Sequence, residues 1–486
     1  MPAEIVAQSS FTAGTEPVVT TVGERSVGVQ FEVVDGDSKQ ALAGVGVSFT
    51  DQSGTLIGQI TSDPQGMIAL AVPDGVTSIT ATASEPKGYV AFPVTSVPSS
   101  TSPGLIPLYR VRSQWTSWGR TADRTRIGPA IGLPSGGPIW SFDAQNNVEF
   151  PPCLAFGLVL YGSYHGFLNA NSQADGHIVW QVYPGTKAHP SKFANQVVVS
   201  TWKENGRRVA RVYYADLTGI LGCRDVFTGE KIWEIRKARG PGSNDRTVDF
   251  TSFESSPLIV GETLYVATRY SDDSVRAGLW AFDKRTGEVR WCRQLGSSIA
   301  TKIGSSPAYA NGLVYQATYD GAVFALDAAT GDVVWRTYLG GEFYSTPAVN
   351  GTRLYIGNKS NGRMYCLNSK TGRQVWCRHM PATVHSSPAL YSGRVYVGSG
   401  RQFIALKAKT GEILWRFKTA TRVLGSATIL RDVVYFSDFG RTYACNAITG
   451  KQVWQYDQGR YSPVTATDNF ITVVGRRVIY AFKPSH

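Results

Sequence analysis

Ser305–Trp335, SSPAYANGLVYQATYDGAVFALDAATGDVVW, is the stretch whose reading decides the fold. Its apolar residues fall in three short runs, parted by Asn311-Gly312 and Asp320-Gly321. A fourth run follows Thr330-Gly331 and ends at Trp335. Asn-Gly and Asp-Gly tolerate positive φ and favour tight hairpins, so the stretch predicts four successive antiparallel strands.

Close copies lie on both sides. T-G-x-x-x-W, or D-G-x-x-x-W in the first copy, ends at Trp180, Trp233, Trp291, Trp335, Trp376, Trp415 and Trp454, with separations of 53, 58, 44, 41, 39 and 39 residues. A period near ~40 residues with four strands per unit is the signature of a propeller blade. Other positions keep phase. Asp225, Asp283, Asp327, Asn368 and Asn446 precede the turn glycine by four residues, suited to bonding the turn's own backbone, whereas Ser172 and Lys407 depart from this. A Ser-Ser/Thr-Pro motif opens units at Pro257, Pro307, Pro347 and Pro388, and a tyrosine recurs at Tyr265, Tyr315, Tyr355, Tyr396 and Tyr435.

After Trp454, Ser462–Lys483 supplies three more strands with no Trp strand behind them. Pro138–Phe142 (PIWSF) is a Trp strand with no three strands before it. Joining the two through Trp140 completes an eighth blade and leaves no open sheet edge. Residues 111–486 are therefore expected to form an eight-bladed β-propeller. Blades two and three are longer, with insertions around Trp202–Arg211 and Arg236–Asp249.

The N-terminal quarter has a different character. Residues 1–24, rich in Ser, Thr and Ala, are expected to be an extended arm. Residues 25–110 read as a β-sandwich: Val27, Val29, Phe31 and Val33 alternate, as do Val45–Phe49 and Ile79–Ala83, with turns at Asp35-Gly36, Ser53-Gly54, Asp63–Gly66 and Pro73–Gly75. Pro98–Pro107 is the expected linker. Residues 1–110 carry 4 Lys/Arg against 10 Asp/Glu, and the remainder carries 44 against 26, so the overall +12 conceals an acidic module joined to a basic one. A sign split of this kind hints at an anionic partner for the basic part.

No run of 18 apolar residues occurs, so no membrane insertion is expected. The opening MPAEIVAQSSFTAGTEP has neither a basic nor an apolar leader region, so a chain without its own secretory signal is expected. Six cysteines are scattered without C-x-x-C and read as buried thiols. Cys366 and Cys377 fall on neighbouring strands, which leaves one bridge open.

Two resemblances follow from these residues. GVGVSFTDQSGTLIGQITSDPQGMIALAVPDG is similar both to the transthyretin-like regulatory domain of carboxypeptidases and to bacterial immunoglobulin-like adhesin domains, each a β-sandwich used for spacing or attachment. Residues 115–486, with WTSWGRTADRTR leading in to W-S-F at Trp140, resemble the pyrroloquinoline-quinone-type (PQQ) repeat propellers. That resemblance implies that the eight tryptophans dock between blades. An indole suits this, offering apolar area and one N–H for a carbonyl.

The PQQ-type family includes quinoprotein dehydrogenases, which hold quinone and calcium at the ring centre through Glu, Asn and Asp ligands, a catalytic Asp and typically an adjacent Cys-Cys pair. It also includes non-enzymes such as an outer-membrane assembly lipoprotein. This chain has no Cys-Cys, and its blades are close to minimal length. Glu254, Asp249, Asp272 and Asp273 read as solvated loop charges, because calcium needs several converging oxygens. No zincin, Walker, nucleophile-elbow or EF-hand pattern occurs. No catalytic residue, cofactor or metal is therefore expected.

What remains is surface. The residues entering the Ser-Ser-Pro strands should gather at one mouth of the ring: Phe253, Glu254, Lys302, Phe343, Tyr344, His385, Arg422, Arg460 and Tyr461. Aromatics mixed with cations suit recognition of a protein or an anionic glycan. Two basic runs, Lys203–Arg211 and Lys231–Arg239, lie on the longer blades. Nucleic acid is not expected, since the cations are spread over many blades with no reading element. The expected role is a non-enzymatic structural or recognition protein of an extracellular assembly, such as a phage tail or adhesin. A cytoplasmic location, a PQQ/calcium-dependent dehydrogenase and an envelope assembly scaffold are the alternatives.

Overall fold

The computed structural model describes residues 26–98, 102–187, 190–239, 247–271, 277–297, 301–461 and 463–485. The expected arm 1–24 lies outside them, as do Asp272 and Asp273. The chain divides into two compact units: Met1–Val33, Ala41–Ser84 and Pro93–Ile106 form the first, and Val34–Gln40, Glu85–Phe92 and Pro107–His486 the second.

In the N-terminal part, strands order Met67–Pro73, Ser26–Asp35, Gly104–Arg110, Tyr89–Ala91 in one sheet, and Leu56–Thr61, Gly46–Thr50, Ile79–Ala83, Val94–Ser96 in a second, antiparallel one. Alternation works as elementary β geometry requires: Val29, Phe31 and Val33 turn inward, and Phe31 meets Phe49 of the second sheet with ring centres 4.9 Å apart. Val27, at the strand's start, is 45% exposed and does not join that face.

Among the described residues the rest holds eight four-stranded antiparallel sheets that follow one another along the chain, with a small three-stranded sheet of Lys237–Ala238, Val248–Ser252 and Tyr270–Ser271 and a single 3-10 turn at Val111–Ser113. The quoted stretch forms Ala308–Ala310, Leu313–Ala317, Ala322–Asp327 and Val333–Tyr338. Asn311 and Gly312 both take positive φ (54° and 80°), as a two-residue hairpin turn demands. Numbering blades from the N-terminus, blades 1 to 7 carry Trp180 through Trp454. Blade 8 combines Thr465–Thr467, Phe470–Val474 and Val478–Pro484 with Pro134–Asp143, where Ala481 pairs with Trp140. The ring thus closes by pairing chain segments from its two ends. The insertion in blade 2 is a lengthened hairpin, Val198–Glu204 against Arg207–Ala215.

The core lies between blades, not within them. One apolar cluster joins Leu258, Tyr265 and Trp291 of blade 3 to Val314, Phe324 and Leu326 of blade 4. Seven tryptophans (Trp140, Trp180, Trp233, Trp291, Trp335, Trp376 and Trp415) donate Nε1–H to a carbonyl of the following blade at 2.8–3.2 Å. Trp454 instead packs edge-on against Phe482 of blade 8, centres 6.0 Å apart. The in-phase acids hold their turns: Asp327 Oδ1 accepts from the N–H of Ala329 (2.9 Å) and Thr330 (3.0 Å), and Asn368 does the same for Lys370 and Thr371.

All six cysteines are free. Cys366 pairs in register with Trp376, and Cys377 with Tyr365, so the two thiols face opposite sides of their sheet. They enter different apolar clusters, which settles the open bridge against a disulfide.

Candidate functional site: the axis and mouth of the propeller

The innermost strand of each blade starts at the ring axis, and the Ser-Ser-Pro motif sits there. Its second hydroxyl is a stitch between blades. The backbone N–H of Gln196 donates to Ser256 Oγ (3.0 Å), Ser256 N–H to Ser306 Oγ (2.9 Å), and Ser306 N–H to Thr346 Oγ1 (3.1 Å). Thr346 N–H donates to Ser387 Oγ (2.9 Å), and Ser387 N–H to Ser426 Oγ (3.0 Å). Thr428 Oγ1 then donates to Val464 O, while Thr465 Oγ1 and Gln196 Nε2 both donate to Pro152 O. The circuit passes through all eight blades and ties each inner strand to its neighbour.

Below this circuit the lead-in segment fills the axis. Val199, Tyr309, Val349, Leu390 and Ile429 donate their N–H to the carbonyls of Thr116, Ala122, Asp123, Thr125 and Arg126, and Trp115 exchanges two bonds with Leu154. Trp115–Arg126 is therefore bonded to the inner strands of six blades. Trp118 Nε1–H reaches Thr346 Oγ1 of the circuit at 3.3 Å. Arg124, fully buried, donates from Nε to Pro307 O (2.9 Å), from Nη2 to Pro257 O (3.5 Å) and from Nη1 to Trp118 O.

Above the circuit, the residues just before each motif form the mouth. Tyr344 stacks with Tyr319 (centres 4.3 Å) on one side and His385 (5.5 Å) on the other, and Lys359 Nζ lies 4.3 Å from the Tyr344 ring centre. Glu254 is paired with Arg269 at 3.2 Å and accepts from Tyr319 Oη at 3.3 Å. Glu149 accepts from Tyr164 Oη, whose ring lies 4.7 Å from Lys192 Nζ. On the far side the Arg460 guanidinium stands over Tyr461 (5.0 Å) and Phe439 (5.8 Å).

Burial raises the carboxyls of Glu254 and Glu149, although Arg269 pulls the first down and the Tyr164 bond pulls the second down. Burial, with Lys359 and Arg422 nearby, lowers His385 to about 4. At neutral pH the mouth thus holds a neutral imidazole among tyrosines, cations, and two carboxyls already bonded.

Of the residues expected at the mouth, Glu254, Lys302, Tyr344, His385, Arg460 and Tyr461 are half-buried there and Arg422 is exposed. Phe253 and Phe343 are a correction. Both are fully buried, in apolar clusters with Trp280 and with Tyr365 respectively. Each lies one position before Glu254 or Tyr344 in the segment leading into the Ser-Ser/Thr-Pro motif, and in each pair the phenylalanine is buried in the core while its neighbour is half-buried at the mouth. Within Lys203–Arg211 three of the four cations are paired, Arg208 and Lys203 with Glu85 and Arg211 with Asp225 and Glu204, while Arg207 is exposed.

Sequence reasoning missed Arg269, Tyr319, Lys359 and Phe439, the second tier of the mouth. A signal existed, since each stands four positions beyond the recurring Tyr265, Tyr315, Tyr355 or Tyr435. Beside the mouth, Gln145, Asn146, Asn147, Gln458, Arg476 and Arg477 line a polar pocket.

A calcium ion needs several converging oxygens. Among the described residues, no three His, Cys, Asp or Glu side chains come together. Glu254 and Glu149 are engaged by Arg269 and Tyr164, and Lys302, Lys359, Lys192 and Arg460 surround them. The described residues do not fit a calcium–quinone centre. Among the described residues no helix is long and apolar enough to cross a membrane.

Comparison with known proteins places this architecture. Curated relatives include tetrathionate hydrolase of Acidithiobacillus ferrooxidans, 24% identical over 245 residues (48% of this chain, 46% of that one). Others are the quinohemoprotein alcohol dehydrogenase ADH-IIG of Pseudomonas putida, 24% over 198 residues (38% and 26%), and the outer membrane protein assembly factor BamB of Legionella pneumophila, 27% over 207 residues (42% and 47%). The chain spans about half or less of the length of these relatives. Among solved structures, the fold matches the P. putida HK5 quinohemoprotein alcohol dehydrogenase (TM-score 0.62, 15% identity, 76% of this chain and 80% of that one) and BamB of Moraxella catarrhalis (0.53, 18%, 73% and 100%). The pattern of the PQQ-like repeat family described as outer membrane protein assembly factor BamB matches residues 122–298, 275–398 and 348–481. With these matches running over most of the chain, from the lead-in through blade 8, the protein belongs to that family.

Proposed function

We propose that this chain is a non-enzymatic binding propeller that takes an acidic segment of a protein partner at its mouth, within a larger assembly. The carrying observation is the wall of Tyr319, Tyr344 and His385 flanked by Lys359, with Arg460 over Tyr461 opposite. Desolvated aromatics beside cations are the composition of binding hot spots, and the cations supply complementarity to carboxylates. Relatives named as assembly factors support the same direction. Under this reading the N-terminal sandwich, immunoglobulin-like in sequence, is the attachment module. An extracellular assembly such as a tail or adhesin is the setting that suits an attachment module joined to a binding disc.

The test is charge reversal. Lys359→Glu with Arg422→Glu should abolish co-purification of the partner from the native source while leaving the melting temperature and circular dichroism unchanged. Retained co-purification would refute the mouth as the binding surface. Reconstitution with quinone and calcium that yields cofactor absorbance and dye-linked alcohol oxidation would overturn the non-enzymatic reading.

One observation favours a second ligand class. The pocket of three amides from Gln145–Asn147, Gln458, Arg476 and Arg477 suits an anionic glycan, whose hydroxyls and carboxylates such groups bind. Arg476→Ala should then weaken binding to sulfated or uronic-acid oligosaccharides and leave the protein partner's binding intact.

A further inference from the structure

The lead-in segment carries two arginines, Arg124 and Arg126, that are 0% and 1% exposed. Arg124 is satisfied by three carbonyls. Arg126 is not. Its guanidinium carbon lies 4.1 Å from the Trp118 ring centre, so one face is covered by the indole. Its Nε and Nη2 are buried and have no hydrogen-bond partner among the described residues. No described carboxylate offsets it; the charge that bears on it is that of Arg124, which with burial disfavours the protonated form.

Two buried guanidiniums side by side are costly unless something compensates them. An unpaired buried charge is strongly destabilising, and arginine does not escape by losing its proton. The unpaired donors are the two on one edge of the guanidinium, Nε–H and Nη2–H, which point the same way. That parallel pair is the fork that takes two oxygens of one oxyanion. The surroundings suit such a guest. Trp118, which stacks on Arg126, is bonded to Thr346 of the hydroxyl circuit, and Thr346 stands two positions beyond Tyr344 of the mouth. The indole that covers the Arg126 guanidinium is thus itself tied to the hydroxyl circuit.

The geometry points to a resident oxyanion site on the propeller axis, in which Arg126 binds two oxygens of a small carboxylate, phosphate or sulfate through Nε and Nη2 against the Trp118 face. The anion would be a structural counter-ion locking the lead-in segment to the inner strands, independent of what the mouth binds.

The experiment uses selenate, a tetrahedral oxyanion with an anomalous signal. Full-length protein purified and crystallised in selenate should show an anomalous peak, or density of a co-purified oxyanion, within hydrogen-bond distance of Arg126 Nε and Nη2. In solution, selenate should raise the melting temperature of the wild type with the logarithm of its concentration at constant ionic strength. Arg126→Lys keeps the charge but loses the fork, and should shift that dependence to about tenfold higher selenate. Arg336→Lys, an exposed control, should leave it unchanged. Water or a side chain of this chain at the Arg126 edge would overturn the site. So would selenate found on surface cations alone (an adventitious ion only), or a melting temperature equally responsive in wild type and Arg126→Lys. Acetate and phosphate arms tell a carboxylate site from an inorganic one by which raises the melting temperature at lower concentration.

Discussion

Gly411 of blade 6 lies directly beneath the indole of Trp376 in blade 5. A Cβ at Gly411 would stand 2.8 Å from Trp376 Cε3, and the glycine takes φ +72°. The same indole donates to Ala408 O in the same turn at 3.0 Å, and Tyr355 Oη donates to that carbonyl at 3.2 Å. The glycine and tryptophan of T-G-x-x-x-W therefore do not serve each other. Each glycine receives the tryptophan of the preceding blade, so the motif is an interface written once per blade.

Substituting Gly411 with Ala should cost about 2–4 kcal/mol, combining left-handed backbone strain with displacement of the indole. Gly393 gives the control: its φ is +70°, yet nothing lies within 4 Å of an added Cβ. Gly393→Ala should cost only about 1–2 kcal/mol. In a double-mutant cycle with Trp376→Leu, Gly411→Ala should lose about 1 kcal/mol or more of its effect. Chemical denaturation midpoints of the four proteins of the cycle and of Gly393→Ala measure this, and equal costs at Gly411 and Gly393 would refute the interface reading.

The hydroxyl circuit makes a sharper prediction. Ser306→Ala leaves the buried N–H of Ser256 without its acceptor, at a cost of about 1–3 kcal/mol. Ser306→Thr should be close to neutral, because blade 5 already uses Thr346 in this role. Hydrogen exchange at the Ser256 amide should accelerate in the alanine variant and stay slow in the threonine variant.

His385 sets an acid-side dependence. Its folded value is lowered from 6.5 to about 4, chiefly by burial and then by Lys359 and Arg422, with Glu342 opposing. The unfolded chain therefore binds the proton first as pH falls. Stability is retained above pH 6.5, falls between 6.5 and about 4, and levels below that. Glu254 and Glu149, raised by burial, act in the opposite sense, favouring the folded state as pH falls through their folded values. His385→Asn should flatten the decline in melting temperature between pH 7 and pH 4.5. An unchanged slope would show that the imidazole is not its source.

The ring was legible in the sequence because its signals are local and repeated. Turn acids, hairpin glycines and period-2 alternation act within a few residues, so Asp327 or Asn311-Gly312 can be read where they stand. Trp140's strand was legible for a related reason: counting blades left one strand over at one end and one strand missing at the other. The mouth was only half legible. Phe253 and Glu254 are adjacent in sequence, and only the direction each side chain takes in the segment before the motif separates core from surface. The axis was hidden altogether. Thr116 to Arg126 find their partners on blades about 80 to about 300 residues away, and nothing local marks Arg124 as a buried residue.

Arg124 allows that hidden part to be tested on its own. Three donors fixed in one plane reach Pro307 O, Pro257 O and Trp118 O, on two blades and on the segment itself. A lysine carries its donors on one atom and cannot span three separated carbonyls. Arg124→Lys should therefore leave buried carbonyls unmatched and cost about 2–4 kcal/mol, despite keeping charge and approximate length. The loss should appear first as faster exchange at the Tyr309, Val349 and Leu390 amides, which donate to the same segment, before the outer strands of those blades respond. Uniform acceleration across all four strands of a blade would mean that the segment is not a separate cooperative element. Slow exchange at those three amides in Arg124→Lys would show that the backbone bonds hold the segment without the guanidinium.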